Sequence, residues 1–247
     1  MRLTVLGGCG AWPTADQACS GYLVEYEGFR LLLDPGYATL PRLLRHLTMD
    51  AVDAVLVSHG HPDHCADLNP LLRARALRDE DLPPALPVYA PHGALDAVLA
   101  LDRPGMLAAA YRLHEFRPGE PLEIGPFSVD TLLLPHFVPN AGIRLKTPDG
   151  VLAFTGDTGP SPDIPRLAEG ADALLSDATY VRRVPSPNAQ YLLTAELAGR
   201  YARQAGAERL LLTHLWPGTD RATALRAAGE GFSGSVGVAV PDLVVDL

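Results

Sequence analysis

Between positions 58 and 64 the chain reads Ser-His-Gly-His-Pro-Asp-His, placing three imidazoles and one carboxylate within six residues. Donors so crowded are costly to pack without partners, and borderline divalent metals accept imidazole nitrogen and carboxylate oxygen together. His59 and His61 are separated by one residue, so on an extended backbone both rings point the same way. Asp63 and His64 follow the turn at Pro62 and can reach a neighbouring position. The pattern predicts two adjacent metals rather than one. A solvated polar loop is the plain alternative. It is disfavoured because the run Ala54-Val55-Leu56-Val57, which reads as a buried strand, leads directly into the histidines. Gly60 and Pro62 predict that the segment itself is neither strand nor helix, but a loop at the strand's end.

Five more apolar runs end in the same way, giving the set Asp34, His59, His136, Asp157, Asp177 and His214. Each alone has an ordinary explanation. Asp34 before Pro-Gly can cap a turn, Asp157 in Gly-Asp-Thr-Gly can stabilise a loop, and His214 can be a satisfied core histidine. Polar groups at the ends of buried strands converge on one rim of a sheet, where open α/β folds place their ligands. The repeated placement favours one shared site.

The elements that must position these residues follow from periodicity. Leu3–Leu6, Tyr22–Tyr26, Phe29–Leu33, Val88–Ala90, Phe127–Leu134, Ile143–Leu145, Val151–Phe154, Ala173–Leu175, Leu210–Leu212 and a last strand at Val236–Val240 read as β. Glu27-Gly28 and Pro148-Asp149-Gly150 read as hairpin turns. Helices are expected at Leu40–Leu47, Leu68–Arg78, Leu95–Leu101, Thr194–Ala205 and Ala222–Ala228. Asp67 or Asn69 is the expected cap of the second, and Arg73, Arg75 and Arg78 its solvated face. Gly206 fits the residue that ends the Thr194–Ala205 helix. Gly7-Gly8-Cys9-Gly10 lacks the Lys-Ser/Thr ending of a phosphate loop and reads as a tight turn. His46, His92 and His114 read as structural.

With 247 residues and 47% hydrophobic content, the chain can bury a sizeable core, and no composition break marks a linker, so one domain over 1–247 is expected. The proline-rich Asp81–Pro87 reads as a connection inside the fold. A formal net charge of −9 opposes extended contact with nucleic-acid phosphates. Cys9, Cys19 and Cys65 are odd in number and lack framework spacing, which suits a reducing compartment. No run is long enough to span a membrane and no signal segment is evident, so a cytoplasmic location is expected.

On His-x-His-x-Asp-His and the four later motifs at His136, Asp157, Asp177 and His214, the chain resembles the metallo-β-lactamase fold, specifically its ribonuclease Z-like phosphodiesterase branch. The resemblance covers essentially the whole chain. It implies an α/β fold, an αββα four-layer sandwich. It implies that His59, His61 and His136 bind one divalent metal, that Asp63, His64 and His214 bind a second, and that Asp157 bridges them. Zinc is the expected ion, with manganese second. Asp34 resembles the family's aspartate that supports the histidine loop. Such a pair of metals can generate a nucleophile and clamp a phosphoryl group for in-line attack, with Asp63 orienting the nucleophile. The catalytic set expected is thus Asp63, Asp34 and Asp177.

Two departures from ribonuclease Z narrow the reading. The acid dyad of that enzyme falls on Asp177 and on Leu192, where a histidine is expected, so the dyad is incomplete. Its long tRNA-gripping arm would lie between His136 and Asp157, where only Phe137–Gly156 stands, enough for one hairpin. The arrangement is closer to compact bacterial members similar to atypical class II cyclic-nucleotide phosphodiesterases. A small phosphodiester such as a cyclic nucleotide is the expected substrate, with large nucleic acid disfavoured and a homodimer an open expectation. The alternatives are a thioester, lactone or β-lactam hydrolase on the same site, a tRNA 3′-processing endonuclease, a flavodiiron-type redox protein, and a binding module keeping only the fold. The all-histidine pattern opposes iron, and the complete ligand set opposes a bare binding module.

Overall fold

The computed structural model describes residues 1–78 and 82–247, so Asp81, the first residue of the proline-rich connection, lies outside them. The first half of the chain gives β1 (Arg2–Gly7), β2 (Gly21–Tyr26), β3 (Phe29–Leu33), α1 (Leu40–Leu43), β4 (Ala54–Leu56), α2 (Pro62–Cys65), α3 (Leu68–Ala76), β5 (Leu86–Pro91), α4 (Asp96–Leu99) and β6 (Tyr111–Phe116). The second gives β7 (Leu122–Ile124), β8 (Phe127–Leu134), β9 (Asn140–Thr147), β10 (Gly150–Phe154), α5 (Asp163–Leu167), β11 (Ala173–Asp177), α6 (Ala195–Ala205), β12 (Arg209–Thr213), α7 (Arg221–Gly229), β13 (Ser235–Val238) and β14 (Val244–Asp246).

Among the described residues these strands form two seven-stranded sheets, in the orders β14-β1-β2-β3-β4-β5-β6 and β13-β12-β11-β10-β9-β8-β7. Alternation within single strands explains the layering. Leu31 and Leu33 of β3 join Leu152 and Phe154 of β10 in a core between the sheets. Leu32 points the other way, towards Leu43, Leu68, Leu71 and Leu72 of the helices on that side. Ala153 likewise faces the alanine-rich α6 and α7 and Ile164 of α5. Each sheet is therefore apolar on both faces and covered by the other sheet and by helices, the αββα sandwich expected.

Topology converts this layering into a site. β3 and β4 run parallel, as do β10, β11 and β12. β8 is antiparallel to β9, which is antiparallel to β10, so β8 points the same way as β10. All six strands whose ends carry a chemically capable residue thus finish at one rim. There the sheets are pinned together by the Ala141 N–H donating to the Ser58 carbonyl at 2.9 Å and by the buried Tyr22 and Thr213 hydroxyls 2.5 Å apart.

Several local expectations need correction. The histidine loop is not wholly irregular: Pro62–Cys65 makes one helical turn, because proline at the first helical position costs no hydrogen bond. The helix at Leu40 stops at Leu43. Asp67 stands at the N-cap of α3, but its side chain does not cap it: Oδ2 accepts the Leu40 N–H at 2.8 Å, and Asn69 donates to Asp102. The arginines of that segment are not simply solvated. Arg75 is buried and donates to the Met49 and Pro84 carbonyls, while Arg73 pairs with Asp102 and Arg78 with Asp50. The strand at Ser235–Val238 is not the last, since β14 crosses to the other sheet and pairs with β1. Strands β6 and β7 and helix α5 are additions to the expected elements: β6 breaks its apolar residues with Arg112, His114 and Glu115, and β7 and α5 are only three and five residues long. Thr194, expected inside α6, instead caps it through its side chain, and Gly206 ends it in the left-handed region as expected. The three cysteines are free. No helix among the described residues is long and apolar enough to cross a membrane.

Candidate metal centre

The six rim residues do not contribute alike. His59, His136, Asp157 and His214 enter the centre of the rim together with His61, Asp63 and His64, whereas Asp34 and Asp177 lie behind it. Two backbone distortions set this up. Asp34 and His214 sit at φ +50° and +58°, a region non-glycine residues seldom adopt, at the points where their strands break away. Two glycines allow the chain to close in: a Cβ on Gly10 would lie 2.8 Å from the His214 ring, and one on Gly36 1.9 Å from the Asp63 carbonyl.

Two overlapping donor groups result. His59, His61, His136 and Asp157 form one, and Asp63, His64, Asp157 and His214 the other, with ligand atoms in each within 4.8 Å of one another. His136 Nε2 lies 3.0 Å from His61 Nδ1. His214 Nε2 lies 3.1 Å from both Asp63 Oδ2 and Asp157 Oδ2, and His64 Nε2 is 3.2 Å from Asp157 Oδ1. Asp157 is the residue common to both groups. Five of these residues are buried, and His136, partly open at its backbone, has a side chain only 1% exposed; His61 is half-exposed and marks the open side.

The far nitrogens of four rings are tied to the protein. His64 Nδ1 donates to Asp34 Oδ2 at 2.7 Å, and His136 Nδ1 to the Tyr191 carbonyl at 3.0 Å. His59 Nδ1 donates to the Ser58 hydroxyl, which donates in turn to Asp34 Oδ2 at 2.6 Å. His214 Nδ1 donates to the Thr179 hydroxyl, which donates to Asp177 Oδ1 at 2.7 Å. Each such bond occupies Nδ1 and leaves Nε2 facing inward, the orientation that metal-binding imidazoles need. Asp177 is fully buried, and its carboxylate also accepts the N–H groups of Thr158, Thr179 and Leu193. Leu192, at the expected dyad position, is buried between Tyr191 and Leu193, both of which make these contacts.

Sequence reasoning missed Ser58, Thr179 and the backbone N–H of Ala11, which donates to Asp63 Oδ2 at 2.8 Å. Ser58 and Thr179 stand inside motifs already singled out, but a hydroxyl carries no spacing signal of its own.

The electrostatics of the cluster without metal are uneven. Burial pulls His59, His61 and His136 below the usual histidine range. Burial would do the same to His64 and His214, but Asp157 and Asp63 outweigh it, raising His64 and taking His214 to about 9. Burial would raise Asp157, yet the facing His214 and His64 hold it well below the carboxylate range. Asp177 is pushed up to about 6 by burial and by Asp157. Three buried atoms at the centre, His59 Nε2, His64 Nε2 and Asp157 Oδ1, have no hydrogen-bond partner. Unsatisfied buried polar atoms are costly, and a mixed nitrogen and oxygen cage closing on one point fits divalent cations.

A family model described as a β-lactamase superfamily domain matches residues 29–215. The chain belongs to the β-lactamase superfamily. Within it, the chain is 30% identical over 97% of both lengths to YhfI of Bacillus subtilis, a probable metallo-hydrolase. The crystal structure of YhfI matches with a TM-score of 0.89 and 31% identity over 99% of each chain. Ribonuclease Z of Methanopyrus kandleri is 34% identical over 77% of this chain and 59% of its own length. The short form of human tRNase Z shares the fold, with a TM-score of 0.79 at 22% identity over 100% of this chain and 99% of its own. This superfamily member therefore has the metallo-β-lactamase fold, with its likeness to the ribonuclease Z-like branch.

Proposed function

We propose that this superfamily member is a metallo-hydrolase, a dinuclear, zinc-dependent phosphodiesterase acting on a small phosphodiester such as a cyclic nucleotide. The observation that carries the reading is the pair of donor groups sharing Asp157. His59, His61, His136 and Asp157 would hold one ion, and Asp63, His64, His214 and Asp157 the other. When bound, two such ions supply Lewis acidity towards phosphoryl oxygens and lower the pKa of water.

The chain's own residues do the rest. The Asp34 and Asp177 relays keep the imidazoles aimed with Nε2 facing the cage, so they act as positioning residues. Asp63 Oδ2, the oxygen that faces His214, is held by the Ala11 N–H, which fixes this carboxylate where it would hold a metal and orient a nucleophile. The half-exposed His61 side leaves an approach for substrate.

Substrate size is argued from the segment between His136 and Asp157. Residues 140–154 are used up by the β9–β10 hairpin, which has no room for a gripping arm. The charge of −9 also opposes a long polyanion. The test is a panel of phosphodiester, thioester and lactone substrates with zinc and manganese supplied separately. Turnover confined to thioesters or lactones would overturn the reading.

A further inference from the structure

One wall of the approach is aromatic and continuous with the cage. Phe137 follows His136 directly and is 49% exposed. Its ring meets the His136 ring edge-on with centroids 5.2 Å apart and leans on Tyr191 at 4.5 Å. Tyr191 is the residue whose carbonyl holds His136 Nδ1. This aromatic pair is therefore positioned by the same contacts that position a candidate ligand.

From Phe137 a groove of about 470 Å³ runs along the end of β8 to the start of α5. Leu133, Val138 and Pro139 make its apolar floor, and Ser161 and Asp163 its polar end. Leu133 is 60% exposed. A solvent-facing phenylalanine and leucine beside a polar cage form an apolar patch that folding alone does not need. The volume lies in the range of small-molecule sites, which pair apolar walls with a few polar groups. A ligand lying on Phe137 is in contact with the residue next to His136, so the groove's natural occupant is a group joined to whatever the cage holds.

We propose that this groove is the subsite for the nucleobase of the substrate, with the Phe137 ring as its stacking face. The proposal rests on the phosphodiesterase reading above and deepens it. Base stacking on an aromatic ring tolerates sequence and needs only a flat exposed face, which Phe137 presents. Ribose and phosphate then reach towards His136 and the cage.

The test is calorimetric titration of the zinc-loaded protein with adenosine monophosphate and with ribose 5-phosphate, which differ by the base. The wild type should bind the nucleotide roughly tenfold more tightly, the size of one stacking contact. Phe137→Ala and Phe137→Leu should bring the nucleotide down to the sugar phosphate's affinity, while Phe137→Trp keeps the preference. Phe137→Leu preserves apolar bulk against His136, so it reports on stacking even if the alanine variant loses metal. Equal affinity for both ligands in the wild type, or a preference that survives in Phe137→Leu at full metal content, overturns the subsite. The two readings fail separately. A Phe137-dependent preference without phosphodiester turnover would sink the phosphodiesterase reading alone, and turnover with no preference would sink the subsite alone.

Discussion

Asp34 Oδ2 receives the Nδ1–H of His64 across 2.7 Å, deep in the rim where neither side chain is exposed. The same oxygen takes the Ser58 hydroxyl, which takes His59, so one carboxylate aims an imidazole from each donor group. Asp34→Asn keeps the volume but turns one of the two accepting oxygens into an NH2 donor, while both oxygens are used, Oδ1 by the Ser58 N–H and Oδ2 by Ser58 and His64. Metal affinity should fall about 10- to 100-fold, as it does when outer partners of ligating histidines are removed. Competition against a chelating dye measures it, and unchanged affinity would show that Asp34 serves only the turn.

Asp157 stands between two sets of histidines, and its replacement should separate the two ions' fates. Asp157→Ala is expected to lose at least one metal and orders of magnitude of activity while keeping the fold, because its neighbours in the core between the sheets are untouched. Elemental analysis and circular dichroism check this. Full metal content with normal turnover would mean that the shared position is misassigned.

Metal content itself is the plainest measurement. Under metal-replete conditions the protein should carry close to two transition-metal ions per chain, zinc foremost, and chelation should abolish activity until the metal is restored. Only calcium or magnesium, or nothing, after zinc addition would count against the cage.

Proton release should accompany loading. Without metal, the facing carboxylates raise His64 and take His214 to about 9, so the His214 ring is charged at neutral pH. Metal needs the neutral ring, so protons must leave as it binds. The sign follows: affinity rises with pH until His214 has titrated near 9, and falls on acidification. Calorimetry of zinc binding in two buffers of different ionisation enthalpy reads the number released. A buffer-independent heat at pH 7 would contradict the charge state assigned to the His214 ring.

Activated and natural esters should part company. Asp177 faces Thr179 and His214 rather than open solvent, and Leu192 offers no proton, so protonation of a poor leaving group is weak. Bis-p-nitrophenyl phosphate should be cleaved much faster than an alkyl ester, a cyclic mononucleotide more slowly, and precursor tRNA negligibly. Leu192→His should narrow the gap between activated and natural esters. Accurate 3′ trimming of precursor tRNA by the unmodified protein would falsify the small-substrate reading.

The ligand set was legible in the sequence because metal chemistry restricts residue type and because strand ends are marked by abrupt changes from apolar to polar. Residues 54–64 already contain a buried strand, a turn and four donors. The alternation of Leu31, Leu32 and Leu33, all apolar, likewise announces a strand buried on both faces. Tertiary structure decided the rest. Ser58 and Thr179 become relays only once the rim brings Asp34 and Asp177 behind them, and hydroxyls acquire that role from distance alone. Arg75, polar in every sequence scale, is buried because the Met49 and Pro84 carbonyls happen to converge on it. β14 leaves the second sheet for the first because β1 has an open edge there, a pairing more than 240 residues apart that no local pattern encodes.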